Sequence, residues 1–252
     1  MYPMRKISRK TLVFLMGYVP ERFVFFILKR MLSLKLESMS TRAALSNLLN
    51  FDNFIYGLTG FYAIPYGGGK HAKQRLTGYT DHFVSTALAS PGPYLDIGCG
   101  NGEICHLLST LTEEKVVGID IEPSRISAAR NAKIATNLSF VLGDATEYFM
   151  RENFGTLILS NVLEHIKDRV GFLKKLNKRY KPQAILIRVP LFERDWRVPL
   201  KKELGIEWRL DLTHFTEYTT QEFETEMADA GYQIETYDIK WGEIWARITP
   251  NI

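Results

Sequence analysis

The chain has little cysteine, no long unbroken apolar run and no internal repeat, and each shortage removes a class of protein. Its 252 residues include two cysteines, Cys99 and Cys105. Two thiols in a chain of this size suggest neither a disulfide framework nor an iron–sulfur cluster. They suit a reducing compartment, so a cytoplasmic location is expected. The main apolar stretch, Thr11 to Leu28, is interrupted by Pro20-Glu21-Arg22. A membrane-crossing helix needs about 20 apolar residues in succession, so none is expected. No small-residue cleavage site follows that stretch, so no secretory signal is expected. No Asp/Glu/His cluster calls for a metal, and none is expected. What remains is 46% hydrophobic and 24% charged, the balance of a globular protein with a sizeable core.

The most informative stretch is Tyr94-Leu95-Asp96-Ile97-Gly98-Cys99-Gly100-Asn101-Gly102. A short apolar run ends in glycine at every second position. Ile104, Leu107, Leu108 and Leu111 then share one helical face. The glycines therefore mark a strand-to-helix turn, where a ligand can lie against bare backbone N–H groups. Their spacing differs from the dinucleotide fingerprint, which has two residues between its second and third glycine. Three further segments follow: Val116 to Ile121 ending on Asp120, Val141 to Ala145 containing Asp144, and Thr156 to Ile166 containing Leu163-Glu164-His165. Taken singly, Asp96 and Asp120 also suit helix caps.

Together these segments resemble the motifs of the class I S-adenosylmethionine-dependent methyltransferases, in order and spacing, over roughly Pro93 to Pro190. The resemblance implies that Asp96, Gly98, Gly100 and Gly102 form the cofactor's glycine turn. It implies that Asp120, with Ile121, receives the ribose hydroxyls. It places the adenine amino group at Asp144 and Ala145, and Ser160 at the end of the fourth strand beside the cofactor. The branch most similar acts on quinones, polysaccharides and other small molecules. Two absences fit: no Asn/Asp-Pro-Pro-aromatic motif of planar-nitrogen methylases and no Pro-Cys of pyrimidine carbon-5 methylases follows the fourth strand.

Strands are expected near Tyr94–Ile97, Lys115–Asp120, Ser139–Leu142, Thr156–Ser160 and Ala184–Val189, with helices between them. Such alternation implies a parallel sheet covered on both faces. The last two strands, Tyr232–Ile239 and Glu243–Ile248, are joined by Trp241-Gly242, too short a link for anything but an antiparallel pair. The expected fold is a doubly wound, Rossmann-like seven-stranded α/β sheet, mostly parallel, with a C-terminal antiparallel hairpin and an N-terminal helical appendage.

Charge sets that appendage apart. Met1 to Asn50 carries nine Lys/Arg against two Asp/Glu, while the rest carries 23 against 26. Ser8 to Tyr18 and Glu21 to Leu36 read as basic amphipathic helices, the second with Phe25, Leu28, Met31, Leu32 and Leu36 on one face. Three roles are open: a cap over the active site, a peripheral membrane contact through residues 8–36, or a dimer interface. Ala63 to Lys70, with Pro65 and three glycines, reads as a joint, giving expected domains 1–66 and 67–252. The next segment reads as one helix with His71, Arg75, Tyr79 and His82 on a side. Arg75 is its candidate for the cofactor's carboxylate, a solvated face being the alternative.

The expected chemistry is in-line transfer of the S-adenosylmethionine methyl group to an oxygen of a hydroxylated small molecule, glycan or lipid-linked intermediate. His214 and His165 are the candidate bases, with Asp211 orienting His214. Trp196, Trp208 and Phe215 are candidate walls of the acceptor pocket. The body is slightly acidic, so nucleic acid is not an expected partner. The alternatives are an RNA or protein methyltransferase docking through the basic N-terminus, a non-catalytic cofactor-binding module, or transfer to nitrogen or carbon.

Overall fold

A computed structural model describes residues 9–132, 135–148 and 150–251, and Ser8, the expected start of the first helix, lies outside them. The chain divides into two compact units between Phe54 and Ile55.

The first unit is helical. Helix α1 covers Arg9–Met16, α2 covers Glu21–Glu37, and α3, Thr41–Tyr66, continues past the division. Pro20 sits at the N-cap of α2, where its missing N–H costs nothing. In α2 no residue is buried; Val24, Leu32 and Leu36 are half-buried while Phe25, Leu28 and Met31 are exposed. The apolar face expected from the sequence is therefore split. Sequence pattern alone left α3 unassigned.

The second unit carries the sheet. The seven strands are β1 (Tyr94–Ile97), β2 (Val116–Asp120), β3 (Leu138–Leu142), β4 (Thr156–Ser160), β5 (Ala184–Pro190), β6 (Tyr232–Lys240) and β7 (Glu243–Pro250). Their order is β3-β2-β1-β4-β5-β7-β6; β3 to β5 run parallel, and β7 pairs antiparallel with both β5 and β6. This is the architecture expected from the alternating pattern. β1, β2 and β5 are buried at every position, the consequence of helices covering both faces. Trp241 and Gly242 both take positive φ, +55° and +73°, as a two-residue hairpin link requires.

Helix α6 (Glu103–Ser109) follows the glycine turn, α7 (Pro123–Asn131) follows β2, and α8 (Arg169–Tyr180) precedes β5. Phe172, Leu173, Leu176 and Tyr180 of α8 are all buried in the core. Between β5 and α10 (Thr220–Asp229) lies an excursion that includes α9 (Arg197–Leu204). Thr219 and Glu222 close a reciprocal capping box at the start of α10.

Two local expectations need correction. The joint is confined to Gly67–Lys70, because Ala63–Tyr66 are still helical, with Pro65 in the final turn of α3. The expected single helix after it is two: α4 (Ala72–Thr77) and α5 (Tyr79–Leu88), separated by Gly78 at φ +63°. A left-handed residue ends the first helix and changes its direction, so the strip linking Arg75 to Tyr79 is broken.

Candidate active site

The carboxyl ends of β1, β2, β3 and β4 open into two neighbouring cavities. The larger, about 830 Å³, includes Gly98, Asp120, Ile121, Asp144, Ala145, Asn161 and His165 in its lining. The smaller, about 480 Å³, includes Asp96, Gly98, Gly100, Ser160, Tyr79 and Arg188. Gly98 and Arg125 belong to both.

The three glycines do different work. Gly98 and Gly100 line cavities, at φ +69° and +57°. Gly102, at φ +79°, lines neither; a Cβ there would lie 2.5 Å from the Phe140 ring and 3.2 Å from Ala129. Its role is to let α6 pack tightly where the turn enters the helix.

Asp120 is 4% exposed and ends β2. Its Oδ2 accepts the Gly100 N–H and its Oδ1 the Glu122 N–H, both at 2.8 Å. The carboxylate thus ties the glycine turn to the second strand, and each oxygen retains a further lone pair for a ligand hydroxyl. Asp144 Oδ1 accepts from Thr146 N and Oγ1 at 2.8 and 2.7 Å. Asp96 accepts from the Cys105 thiol at 3.3 Å, and burial pushes its pKa up to about 7. Arg75 is exposed and lines neither cavity; Arg125 lines both, and Arg188 lines the smaller.

The two histidines chosen as rival bases meet. Their rings lie 4.7 Å apart at 77°. His214 is 5% exposed, and its Nδ1 bonds Glu217 Oε1 at 3.0 Å. His165 Nδ1 bonds the Thr213 hydroxyl at 2.9 Å, and that hydroxyl donates to Asp211 Oδ1 at 2.8 Å. Asp211 therefore supports His165 rather than His214, whose orienting carboxylate is Glu217. The Thr213 hydrogen bonds hold Asp211 below the usual carboxylate range, and burial, with His214 next, lowers the His165 pKa.

Glu164 completes the cluster. It is fully buried, neither carboxylate oxygen has a hydrogen-bond partner among the described residues, and burial pushes its pKa up to about 8. One ligand atom each from Glu164, His165 and His214 fall within 4.8 Å of one another. Two of these residues are adjacent in sequence, and the fold brings the third from 49 positions away. Trp196 and Phe215 are 71% and 61% exposed and line neither cavity. Trp208 packs edge-on against Phe192 at 5.1 Å instead of walling a pocket.

A seven-stranded sheet of this order, with an acidic glycine turn, Asp120 ending β2 and Asp144 two residues beyond β3, is the architecture of the class I S-adenosylmethionine-dependent methyltransferases. The chain belongs to the methyltransferase domain family, which matches residues 89–230. Among curated relatives, the ubiquinone biosynthesis O-methyltransferase of Bradyrhizobium diazoefficiens is 33% identical over 118 residues, 46% of each chain. That of Bartonella tribocorum is 31% identical over 119 residues, 46% of this chain and 47% of the relative. The chain spans about half the length of the curated relatives it matches. Magnesium protoporphyrin IX methyltransferase from Synechocystis, solved with bound SAH, superposes with TM-score 0.56 at 14% identity, over 69% of this chain and 83% of that one. The small RNA methyltransferase HEN1 superposes with TM-score 0.57 at 20% identity, over 72% and 25%.

Proposed function

We propose that this protein transfers the methyl group of S-adenosylmethionine to an oxygen of a hydroxylated small molecule, glycan or lipid-linked intermediate. The observation that carries the reading is the row of strand ends in one cavity: Gly98 after β1, Asp120 at β2, and Asp144 after β3. Ligands of open α/β sheets lie beyond the carboxyl ends of the strands. Asp120 suits two vicinal ribose hydroxyls, the Asp144–Ala145 edge suits adenine, and Gly98, Gly100 and Ser160 suit the sulfonium end. In this reading residues 67–252 form the methyltransferase domain, and residues 8–36 provide a peripheral membrane contact. The ubiquinone-pathway relatives support oxygen as the target. The fold alone does not choose, since it is shared with porphyrin and RNA methyltransferases.

An alcohol or phenol must lose its proton as it attacks the methyl group. His165 lines the larger cavity and engages Nδ1 elsewhere, which leaves its Nε2 for that proton, while His214 is buried, lines neither cavity and packs against the His165 ring. The orphaned Glu164 oxygens favour a second reading, in which Glu164, His165 and His214 hold a divalent cation. Two imidazoles oriented by Glu217 and Thr213 are the outer-shell arrangement such ligands use, so the donors fit. A bound cation would supply Lewis-acid stabilisation of the acceptor oxygen.

The test is incubation with methyl-labelled S-adenosylmethionine and an extract of the source cells. Label in the organic-soluble or small aqueous fraction is expected; label in nucleic acid or protein would overturn the acceptor class. Loss of transfer in EDTA, restored by Mg²⁺ or Mn²⁺, would assign the trio to a cation, and insensitivity would leave it to base catalysis. Asp120→Ala should weaken S-adenosylhomocysteine binding by about 1–3 kcal/mol, since it removes an anionic acceptor. Calorimetry checks this, and unchanged affinity would withdraw the ribose assignment.

A further inference from the structure

Asp211, Thr213 and His165 all line the larger cavity and are joined in series. Thr213 Oγ1 lies 2.9 Å from His165 Nδ1 and 2.8 Å from Asp211 Oδ1. The Thr213 backbone N–H also donates to that Oδ1, at 2.8 Å. The loop that carries Thr213 is pinned to the Leu163–His165 turn, because the Phe215 N–H bonds the Glu164 carbonyl at 2.8 Å. A bond from Arg209 to the His214 carbonyl, at 3.0 Å, stiffens the loop itself. Thr213 is thereby set beside a histidine 48 positions away in sequence.

A threonine hydroxyl has one hydrogen, and two neighbours compete for it. An ionised carboxylate can only accept, and the bonds from Thr213 hold Asp211 below the usual carboxylate range. Were the hydrogen turned toward His165, the hydroxyl and carboxylate oxygens would face each other 2.8 Å apart with no proton between them. A hydrogen bond to a charged acceptor is also about twice as strong as one to a neutral acceptor. The hydrogen therefore goes to Asp211, and the hydroxyl oxygen accepts from His165 Nδ1. That nitrogen must carry a hydrogen, and in a neutral imidazole the lone pair then belongs to Nε2. Burial lowers the His165 pKa, which keeps the ring neutral near pH 7. Nε2 is not among the described side-chain nitrogens that are buried without a partner. Two other histidines take the opposite form. His106 Nε2 meets the Ala129 carbonyl at 2.9 Å, and His71 Nδ1 accepts the Lys73 N–H at 3.1 Å, so in both the hydrogen sits on Nε2.

We propose that Thr213 and Asp211 are positioning residues that fix His165 in its Nδ1–H form, leaving Nε2 as the basic nitrogen of the ring. The consequence for catalysis, though not the tautomer itself, rests on the methyltransferase reading. With Nε2 bare, His165 accepts the proton of the acceptor hydroxyl; with a hydrogen there it could only donate. In that step the acceptor oxygen forms its bond to the methyl carbon as the carbon–sulfur bond breaks and leaves its electron pair on sulfur. The hydroxyl proton passes to Nε2, and the imidazolium so formed is stabilised through Thr213 by the Asp211 carboxylate.

The test uses the full chain with nitrogen-15 in its five histidines, kept in EDTA at about pH 8, where an imidazole of ordinary or lowered pKa is neutral. Long-range proton–nitrogen spectra distinguish a bare ring nitrogen from one that bears hydrogen, and His165→Gln identifies the His165 signals. His165 should show a bare Nε2, with His71 and His106 showing a bare Nδ1 as internal references. Thr213→Val removes the acceptor, and Asp211→Ala frees the hydroxyl to donate to Nδ1, so both should move His165 toward the Nε2–H form. Thr213→Ser should keep the original form. S-Adenosylhomocysteine affinity by calorimetry should stay within about twofold in all three, which also certifies that they fold. With methyl-labelled S-adenosylmethionine and source-cell extract, Thr213→Val should lower the labelling rate at least about tenfold with an unchanged KM for S-adenosylmethionine, and Thr213→Ser should restore most of it. A bare Nδ1 on His165 in the unmodified chain would overturn the proposal. Undiminished labelling by a Thr213→Val protein that binds S-adenosylhomocysteine normally would overturn it as well. Failure of the unmodified protein to bind S-adenosylhomocysteine would overturn the methyltransferase reading instead.

Discussion

Replacing Glu217 by alanine is expected to destabilise the protein by about 3–5 kcal/mol, the cost of leaving buried partners uncompensated. Glu217 is 2% exposed and joins three parts of the excursion between β5 and α10. Its Oε2 meets the Arg194 guanidinium, and its Oε1 accepts the Leu210 N–H and bonds His214 Nδ1. Arg194 also donates to the Leu191 and Trp208 carbonyls, so its loss of charge pairing would reach the start and the middle of the excursion. Alanine leaves a buried cation, an orphaned backbone N–H and an unoriented imidazole. At about 2–4 °C per kcal/mol for a chain of this size, the melting temperature should fall by roughly 6–20 °C. Glu217→Gln keeps the shape and one acceptor oxygen, so it should fall between. Differential scanning calorimetry of the three proteins decides; an unchanged midpoint in Glu217→Ala would mean that water satisfies these groups. The same substitution should lower methyl transfer beyond its effect on folding, because His214 loses the bond that orients its ring.

The sheet was legible because its signals are local. Apolar runs ending in Gly98, Asp120, Asp144 and Ser160 fix β1 to β4 within a residue or so, and Trp241-Gly242 fixes the hairpin. Helix α3 was not legible: Thr41–Tyr66 is apolar on most sides and carries Pro65, which reads as a break although it falls in the last turn. Gly78 was visible in the sequence, but nothing local announced that it would take a left-handed conformation and turn Arg75 away. The site divides in the same way. Residues attached to strand ends were readable from spacing. The His165–His214–Glu164 cluster was not, because it depends on how the β5–α10 excursion folds back, and Phe215 N bonding the Glu164 carbonyl at 2.8 Å is a tertiary fact. Two signals were available in hindsight: the His214–Glu217 spacing, and a lone arginine in the otherwise apolar Ile185-Leu186-Ile187-Arg188-Val189.

The full chain is expected to float with vesicles containing phosphatidylglycerol and to remain behind with vesicles of phosphatidylcholine alone. In α2, Phe23, Phe25, Phe26, Leu28, Met31 and Leu34 are each at least 50% exposed, in water an unfavourable concentration of apolar surface. Arg22, Lys29, Arg30 and Lys35 stand among them, opposed by Glu21 and Glu37. No helix of the described residues is long and apolar enough to cross a membrane, so the geometry that suits α2 is one lying in the headgroup plane. Six half-exposed side chains gaining about 1 kcal/mol each and four cations near an anionic surface gaining about 1 each give roughly 10 kcal/mol gross. Association costs of about 4 kcal/mol or more reduce that to micromolar or weaker lipid affinity. Binding should therefore weaken in about 0.5 M salt, where the Debye length falls below 5 Å. The triple substitution Phe25→Glu, Leu28→Glu, Met31→Glu should abolish flotation while leaving S-adenosylhomocysteine affinity unchanged, since those residues belong to the first compact unit and the cofactor cavities to the second. If the unsubstituted chain ignores anionic vesicles and is instead a dimer that the same three changes dissolve, the face belongs to a second copy of the chain. A lipid-linked acceptor would then have to reach the Asp120 cavity without the enzyme first docking at its surface.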